Sequence, residues 1–389
     1  MTCRPARQPA CRIWRSSHGS GADPGLPVWQ TYRHKNELFP AGGGTAAQFD
    51  SKQPTYRYGV PLTKAMPATS QTLWNNLDES SQIGLCTLFA NDSTSDEWRI
   101  LYEAKVNRAL FDYANAAGLT RCTGVTCKTL AARRRTTSGN LASYGGRCTS
   151  PDAAKIVMLP CADNSVTGDP GEGAIEVKAV WRKLTQAEMG SGRFFTTKVI
   201  YSQYQGGSTT VHNDTYGLVG LHIIHKTSSF PTFVFATWEQ VDDIGANPPP
   251  DIPVVRAHAI PSAIQNVTAD VHGQLNGTQS VWQYYKLVGV QGQPVDGPPP
   301  AGAPADQASY YYLANIVVET NQALQNFFGR VQAGSPVPAK NLYAGGRSYQ
   351  MGGCQGCHGF QGQSVGGDMI DHEPDSFVYL LRGRSECTE

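Results

Sequence analysis

The sequence predicts an α+β protein that is mainly β, built on an antiparallel β-sandwich or barrel-like domain with a few helices. Glycine and proline supply 41 and 25 of the 389 residues, a composition of many turns and short elements that disfavours an all-helical chain. Residues 174–241 hold several strand-like segments, and turn-forming clusters such as the one at residues 205–208 separate several of them. This is the pattern of an antiparallel sheet.

Length and charge bound what the chain can do. The 389 residues exceed one typical domain and leave ample material for a core. The 32 basic and 31 acidic residues give a formal net charge of +1, so nothing favours nucleic acid or an anionic membrane as a partner. No run of about 18 apolar residues occurs, so the sequence predicts no transmembrane segment.

Residues 1–25 are basic and rich in glycine, serine and proline, which predicts a poorly ordered N-terminal segment. They also lack the apolar core of a secretory signal, so no export signal is visible in them. Residues 26–300 are predicted to form the β-rich domain, in which Ile83–Phe89 is an early strand. An amphipathic helix ending at Gly118 is expected next, because apolar residues recur at helical spacing: Tyr102, Val106, Leu110, Tyr113 and Ala117.

The strands of the domain follow an insertion near residues 120–165. Ala174–Trp181 alternates, with Ile175 and Val177 on one face and Glu176 and Lys178 on the other. Asn213 and Asp214 are expected to form a turn. The further predicted strands are Arg193–Tyr204, Tyr216–Lys226, Phe233–Val241 and Trp282–Val290.

The insertion near 120–165 is polar and arginine-rich, and it holds four of the chain's ten cysteines: Cys122, Cys127, Cys148 and Cys161. We predict a disulfide-tied loop, in which four cysteines allow three pairings. Disulfides persist in oxidising compartments, so the chain is expected to be periplasmic or extracellular.

The most specific pattern lies near the C-terminus, where Cys354, Cys357 and His358 form a C-x-x-C-H motif. This spacing attaches a c-type haem, because each thiol can add to a vinyl group of one porphyrin and the adjacent imidazole can serve as the proximal iron ligand. A thioredoxin-like pair would follow a βαβ pattern and a zinc site would need a second ligand pair, and neither is visible. We therefore predict one covalent haem c.

Residues 301–389 are accordingly interpreted as a C-terminal helix plus c-type haem segment. The helix is predicted from an apolar stripe that runs from Leu313 to Phe328 and stops at Gly329. The helix could form a wall of the haem pocket or pack on the sheet, and the sequence favours neither interpretation.

Several candidates remain for the distal iron ligand. Met369 is the first choice, because the 11-residue connection from His358 can extend to roughly 36 Å, and His372 is the second. His222 and His225 could each reach the iron, but residues three apart in a strand point to opposite faces and cannot bind one metal together. A hydrogen-bonded histidine at the sheet surface, or an open sixth position, is the alternative.

The motif makes the last part of the chain resemble a c-type cytochrome. Ala174–Trp181 and Tyr216–Asp243 resemble a set of bacterial β-rich proteins that carry one haem motif near the C-terminus and have no established activity. Ordinary small cytochromes c carry the motif near their start, whereas only 31 residues follow His358 here. The layout is similar to that of the β-rich group that includes cytochrome c′-β.

The resemblance implies an extracytoplasmic electron-transfer protein that acts with a redox partner protein. Two alternatives stay open: a haem enzyme or gas-binding protein acting on a small nitrogen or oxygen species, and a β-sandwich binding module in which the haem is a relay. Axial ligation and pocket access decide between electron transfer and ligand activation.

Overall fold

The computed structural model describes residues 27–38, 48–50, 101–118, 148, 158–162, 171–205, 208–230, 233–242, 260–291, 315, 341–344, 347–350, 364–365 and 368–369. The strands of the central sheet are β1 (Arg33–His34), β2 (Leu101–Val106), β3 (Ile175–Lys183), β4 (Thr196–Gln205), β5 (Ser208–His225), β6 (Val234–Gln240) and β7 (Tyr285–Gln291). The helices are α1 (Lys35–Leu38), α2 (Arg108–Ala116), α3 (Gln186–Ser191) and α4 (Ser262–Leu275), with 3₁₀ turns at Val28–Thr31 and Val281–Tyr284. Two short hairpins pair β8 (Asn341–Ala344) with β9 (Arg347–Gln350) and β10 (Ser364–Val365) with β11 (Asp368–Met369).

The central sheet is antiparallel and has seven strands in the order β1-β2-β3-β5-β6-β7, with β4 paired to β5. Strand β5 has 18 residues, and β4 and β6 pair with successive parts of it along one edge. Its C-terminal half lies between β3 and β6, and its N-terminal half pairs with β4 from Ser208 to Gly217. The predicted α+β, mainly β class is confirmed, and the sheet is open rather than closed into a barrel.

One face of the sheet, which we call the tryptophan face, is apolar and aromatic at its centre. Alternation along β3 places Ile175, Val177, Ala179 and Trp181 on it, as the sequence predicts. Helix α4 packs on this face across β7: Ile264 joins the cluster, and the backbone N–H of Leu287 donates to Thr268 Oγ1 at 3.1 Å.

The opposite face, which we call the charged face, bears Glu176, Lys178, His222, Thr237 and Glu239 on adjacent strands. Its apolar end, at Val106, Ile224 and Phe235, is covered by Leu110 and Phe111 of α2. Glu176 is only 1% exposed and Glu239 is 0% exposed. The charged face is therefore interior, although its alternating charges resemble those of a solvent-facing surface.

The predicted helix from Tyr102 to Ala117 is only half correct. Residues Leu101–Val106 form a strand between β1 and β3, and the helix begins at Arg108. Asn107 marks the change: its Oδ1 accepts from the backbone N–H of Leu110 as an N-cap and also from that of Ile175. The predicted end is confirmed, because Gly118 adopts a φ of +68° just past the helix.

Two further elements differ from the sequence prediction. Asn213 and Asp214 do not form a turn but lie inside β5, paired with Ile200 and Val199. Their pairing with β4 satisfies the backbone groups that a turn would otherwise expose. Helix α4 was not predicted, because its apolar face is narrow and leaves Val267 and Val271 exposed.

The disulfide prediction is confirmed for one pair, Cys148–Cys161. Cys122 and Cys127 lie outside the described residues, as do the predicted strand Ile83–Phe89 and, apart from Asn315, the predicted helix up to Gly329. The pair anchors residues 158–162, where Ala162 bridges to Thr227 just after β5.

Candidate functional site

The C-x-x-C-H motif lies outside the part of the chain that the structure describes. This applies to Cys354, Cys357 and His358 and also to His372. Met369 is described through its backbone alone: it ends β11 and pairs with Ser364 of β10. The assignment of all five residues stays a prediction from sequence.

The two histidines of β5 lie on opposite faces of the sheet, as their spacing requires. His222 pairs with Lys178 and Thr237 on the charged face, whereas His225 pairs with Ile175 on the tryptophan face. Both sit in regular, unbulged register. The structure therefore separates them: His222 lies beside Lys178, and His225 lies near Glu172.

The charged face places titratable side chains next to one another on adjacent strands. Lys178 and His222 are direct cross-strand neighbours, and Lys286 Nζ lies 3.6 Å from the fully buried carboxylate of Glu239. Buried charges are expensive unless they are paired, so the ion pair with Lys286 offsets part of the cost of burying the Glu239 carboxylate.

Asn315 ties the chain beyond residue 300 to the charged face. Its Nδ2 donates to Thr237 Oγ1 at 2.9 Å and to the carbonyl oxygen of Trp238 at 2.8 Å, and the residue is fully buried. Thr237 is the cross-strand partner of His222. Asn315 thus contacts the sheet beside His222.

His225 belongs to a polar cluster at the start of β3. Its Nε2 lies 2.7 Å from the carbonyl oxygen of Glu172, so this nitrogen carries the proton, because a carbonyl oxygen only accepts. The Glu172 carboxylate accepts from the hydroxyl of Tyr32 and from Nδ2 of Asn107.

Burial shapes the titration of this cluster. Desolvation lowers the pKa of the His225 imidazole, with the Glu172 hydrogen bond acting in the opposite direction. Desolvation, together with the Glu172 carboxylate, raises the pKa of the Tyr32 hydroxyl well above its ordinary range. Both side chains are therefore neutral near neutral pH, and neither is poised for acid–base work there.

The tryptophan face holds a second group of buried charges. Trp181 Nε1 donates to Glu103 Oε2 at 3.1 Å, and Lys105 Nζ lies 3.3 Å from Glu103 Oε1. Lys105 also donates to the backbone oxygen of Gln30 at 3.1 Å and lies 6.0 Å from the ring centre of Trp29. All of these side chains are buried.

Aromatic rings continue from this carboxylate to the edge of the sheet. Trp181 has ring centres at 6.4 Å (Trp29) and 6.1 Å (Phe195), and Phe195 lies 4.9 Å from Trp282. Trp282 in turn lies 5.3 Å from Tyr285 and is half-buried. The rings form an unbroken contact path from the interior to the partly exposed indole of Trp282.

Glu103 and Lys105 were not identified from the sequence, because residues from Tyr102 to Ala117 were interpreted with helical rather than strand spacing. Tyr102, Ala104 and Val106 alternate with these two charges, which is a strand pattern. The helical spacing of the next residues extended the predicted helix over them. Reading Leu101–Val106 with period two would have placed both charges on one face.

Within the described ranges, no group of three or more histidine, cysteine, aspartate or glutamate side chains could hold a metal ion. The same part of the chain contains no helix long and apolar enough to cross a membrane. No protein-family model, curated protein or solved structure matches the chain.

Proposed function

We propose that this chain is an extracytoplasmic c-type cytochrome that holds one covalent haem c and transfers electrons with a redox partner protein. The observation that carries the proposal is the motif of Cys354, Cys357 and His358. Two thiols and an adjacent imidazole are the donor set that a covalently attached haem needs. The haem would supply a one-electron iron couple, and the chain's own residues would hold it and set access to it.

The disulfide supports the compartment in this proposal. Cys148 and Cys161 are bonded, and such bonds persist outside the reducing cytosol. A c-type haem is likewise attached on the outer side of the membrane, so the two features favour the same location. The redox partner is a protein whose identity the chain does not specify.

The distal position decides between electron transfer and the alternative of a haem enzyme or gas-binding protein. Met369 is the first candidate and His372 the second, and a methionine ligand would raise the potential relative to histidine. His222 is a further candidate, because Asn315 fixes the chain beside it on the charged face. His225 is a weaker candidate than these three, because its Nε2 donates to the carbonyl oxygen of Glu172.

The test of covalent attachment is replacement of both motif cysteines in the full chain. Cys354→Ala with Cys357→Ala should abolish haem staining on a denaturing gel, because thioethers survive denaturation and axial bonds do not. The matched control, Cys122→Ala with Cys127→Ala, removes two cysteines outside the motif and should keep the stain. Staining that persists in the motif double variant would refute the proposal.

Ligand binding separates electron transfer from the enzyme alternative. If a side chain fills the distal position, the reduced protein should not bind carbon monoxide, and Met369→Ala or His372→Ala should open the site. Free binding of carbon monoxide by the unaltered protein would favour the haem enzyme or gas-binding protein.

A further inference from the structure

We propose that Trp181 and Glu103 form a proton-coupled oxidation site, connected to the surface through Phe195 and Trp282. This function does not depend on the haem, because every group that it uses lies in or beside the described sheet. When a strong one-electron oxidant removes an electron from the protein, the resulting radical would then settle on one defined indole.

The first argument is the position of a carboxylate against an indole. Trp181 Nε1 donates to Glu103 Oε2 at 3.1 Å, and both residues are buried. Oxidation makes the indole N–H strongly acidic, so a hydrogen-bonded carboxylate can take the proton at once. Trp181 would lose one electron to a high-potential, outer-sphere metal complex such as ruthenium(III) tris-bipyridine, which is reduced to ruthenium(II), and would lose its N–H proton to Glu103, leaving a neutral indolyl radical and a carboxylic acid.

The second argument is the contrast with the neighbouring indole. Trp29 is equally buried, with its ring centre 6.4 Å from that of Trp181. Its Nε1 has no hydrogen-bond partner in the part of the chain that the structure describes. Oxidised Trp29 would therefore keep its proton, and the lower-energy, deprotonated radical would collect on Trp181.

The third argument is that packing alone does not require these charges. Glu103 and Lys105 form an ion pair at 3.3 Å inside an aromatic cluster. Replacing a buried ion pair with well-packed apolar side chains is often neutral or stabilising. A buried indole N–H needs a hydrogen-bond acceptor, and here the acceptor is a carboxylate, a group that can also take the proton.

The entry point is Trp282, which is half-buried and lies 4.9 Å from Phe195. Phe195 is 6.1 Å from Trp181, so rings in contact join the surface indole to the buried one. Phenylalanine is not itself oxidised at ordinary potentials, and it would act only as the medium between the two indoles.

The experiment oxidises the full chain with photogenerated ruthenium(III) tris-bipyridine and follows radicals by time-resolved absorption, which distinguishes protonated from deprotonated indole radicals. We expect a long-lived deprotonated radical in the unaltered protein. Trp181→Phe should remove that component, whereas Trp29→Phe, the matched buried control, should retain it. The reverse pattern, or equal retention in both variants, would overturn the proposal.

Glu103→Gln tests the proton acceptor, because the amide can still accept the hydrogen bond but cannot take the proton. The deprotonated component should be lost and the protonated radical should replace it. An unchanged deprotonated component would also refute the proposal. Far-ultraviolet circular dichroism checks the folding of each variant, and the pair of tryptophan variants decides the matter if Glu103→Gln does not fold.

Discussion

The two faces of the central sheet are formed by the same strands, but the side chains buried on them differ. One face is mainly apolar, and the other carries charged groups. On the tryptophan face, β3 and β5 contribute Val177, Trp181 and Leu221 to an apolar cluster that also contains Ile264 of α4. On the charged face, the alternate positions include the buried Glu176 and Lys178 of β3 and the half-buried His222 of β5. Alternation in sequence therefore separates the faces of a sheet but does not say which of them meets water.

The covering elements explain the difference. The charged face is covered at one end by α2, and Asn315 reaches it from beyond residue 300. Interior charges are stable only when opposite charges and hydrogen-bond partners surround them. The tryptophan face draws its stability mainly from apolar area, with the Glu103–Lys105 pair as its exception. The two faces should respond differently to substitution.

The largest effect is expected from the tryptophan face. Trp181→Ala should lower the free energy of unfolding by about 3–5 kcal/mol, because it leaves a large cavity among buried rings. Urea unfolding measures this loss. Met189→Ala, at an exposed site on α3, should change stability by less than about 0.5 kcal/mol. Equal effects of the two substitutions would contradict the assignment of the core.

The disulfide should have the next largest effect. Cys148 and Cys161 are 13 residues apart, and Leu159 beside them packs into the apolar cluster with Ala104 and Val106. Replacing both cysteines by serine should cost about 3 kcal/mol, by the chain-entropy estimate for a loop of about 15 residues. Urea unfolding under non-reducing conditions checks this. An unchanged midpoint would mean that the bond does not hold this end of the charged face.

A smaller loss is expected from the charged face itself. Asn315→Ala removes two donors from Thr237 and the carbonyl of Trp238, and leaving buried acceptors without partners costs about 1–3 kcal/mol. Asn276→Ala, at the exposed end of α4, is the control and should have little effect. The backbone amides of β6 should exchange hydrogen faster in the Asn315 variant. Unchanged exchange would show that Asn315 does not stabilise the charged face.

The smallest effect concerns pH and His225. Burial holds the folded-state pKa of this histidine below its ordinary value of 6.5, so the unfolded chain binds more protons just below that pH. Stability is then fully present above 6.5 and is lost as pH falls towards the folded-state pKa. His225→Gln should remove this part of the acid dependence of the urea midpoint. A midpoint that falls equally in the variant would assign the loss to other groups.

The sequence anticipated the sheet where pattern and burial agree. The alternation of Ala174–Trp181 and the glycine after α2 mark a strand and a helix end through local chemistry. The strand Leu101–Val106 was hidden because Val106 and Leu110 share helical spacing, and only pairing with β1 and β3 overrides it. Local patterns cannot reveal such distant partners.

The candidate site was predictable in part for the same reason. The C-x-x-C-H motif is local, so it can be recognised without a fold. The pairing of Trp181 with Glu103 joins residues 78 positions apart, and the contact of Asn315 with Thr237 joins residues equally distant. Such groups meet only once the sheet has formed, so no spacing in the sequence announces them.

The most direct test of the central claim is the mass of the unaltered full chain after denaturation, combined with its oxidised and reduced optical spectra. The account predicts a polypeptide heavier by one haem, with a c-type spectrum that disappears when Cys354 and Cys357 are both replaced. A denatured chain at the mass of the bare polypeptide, from cells that attach c-type haem, would contradict it.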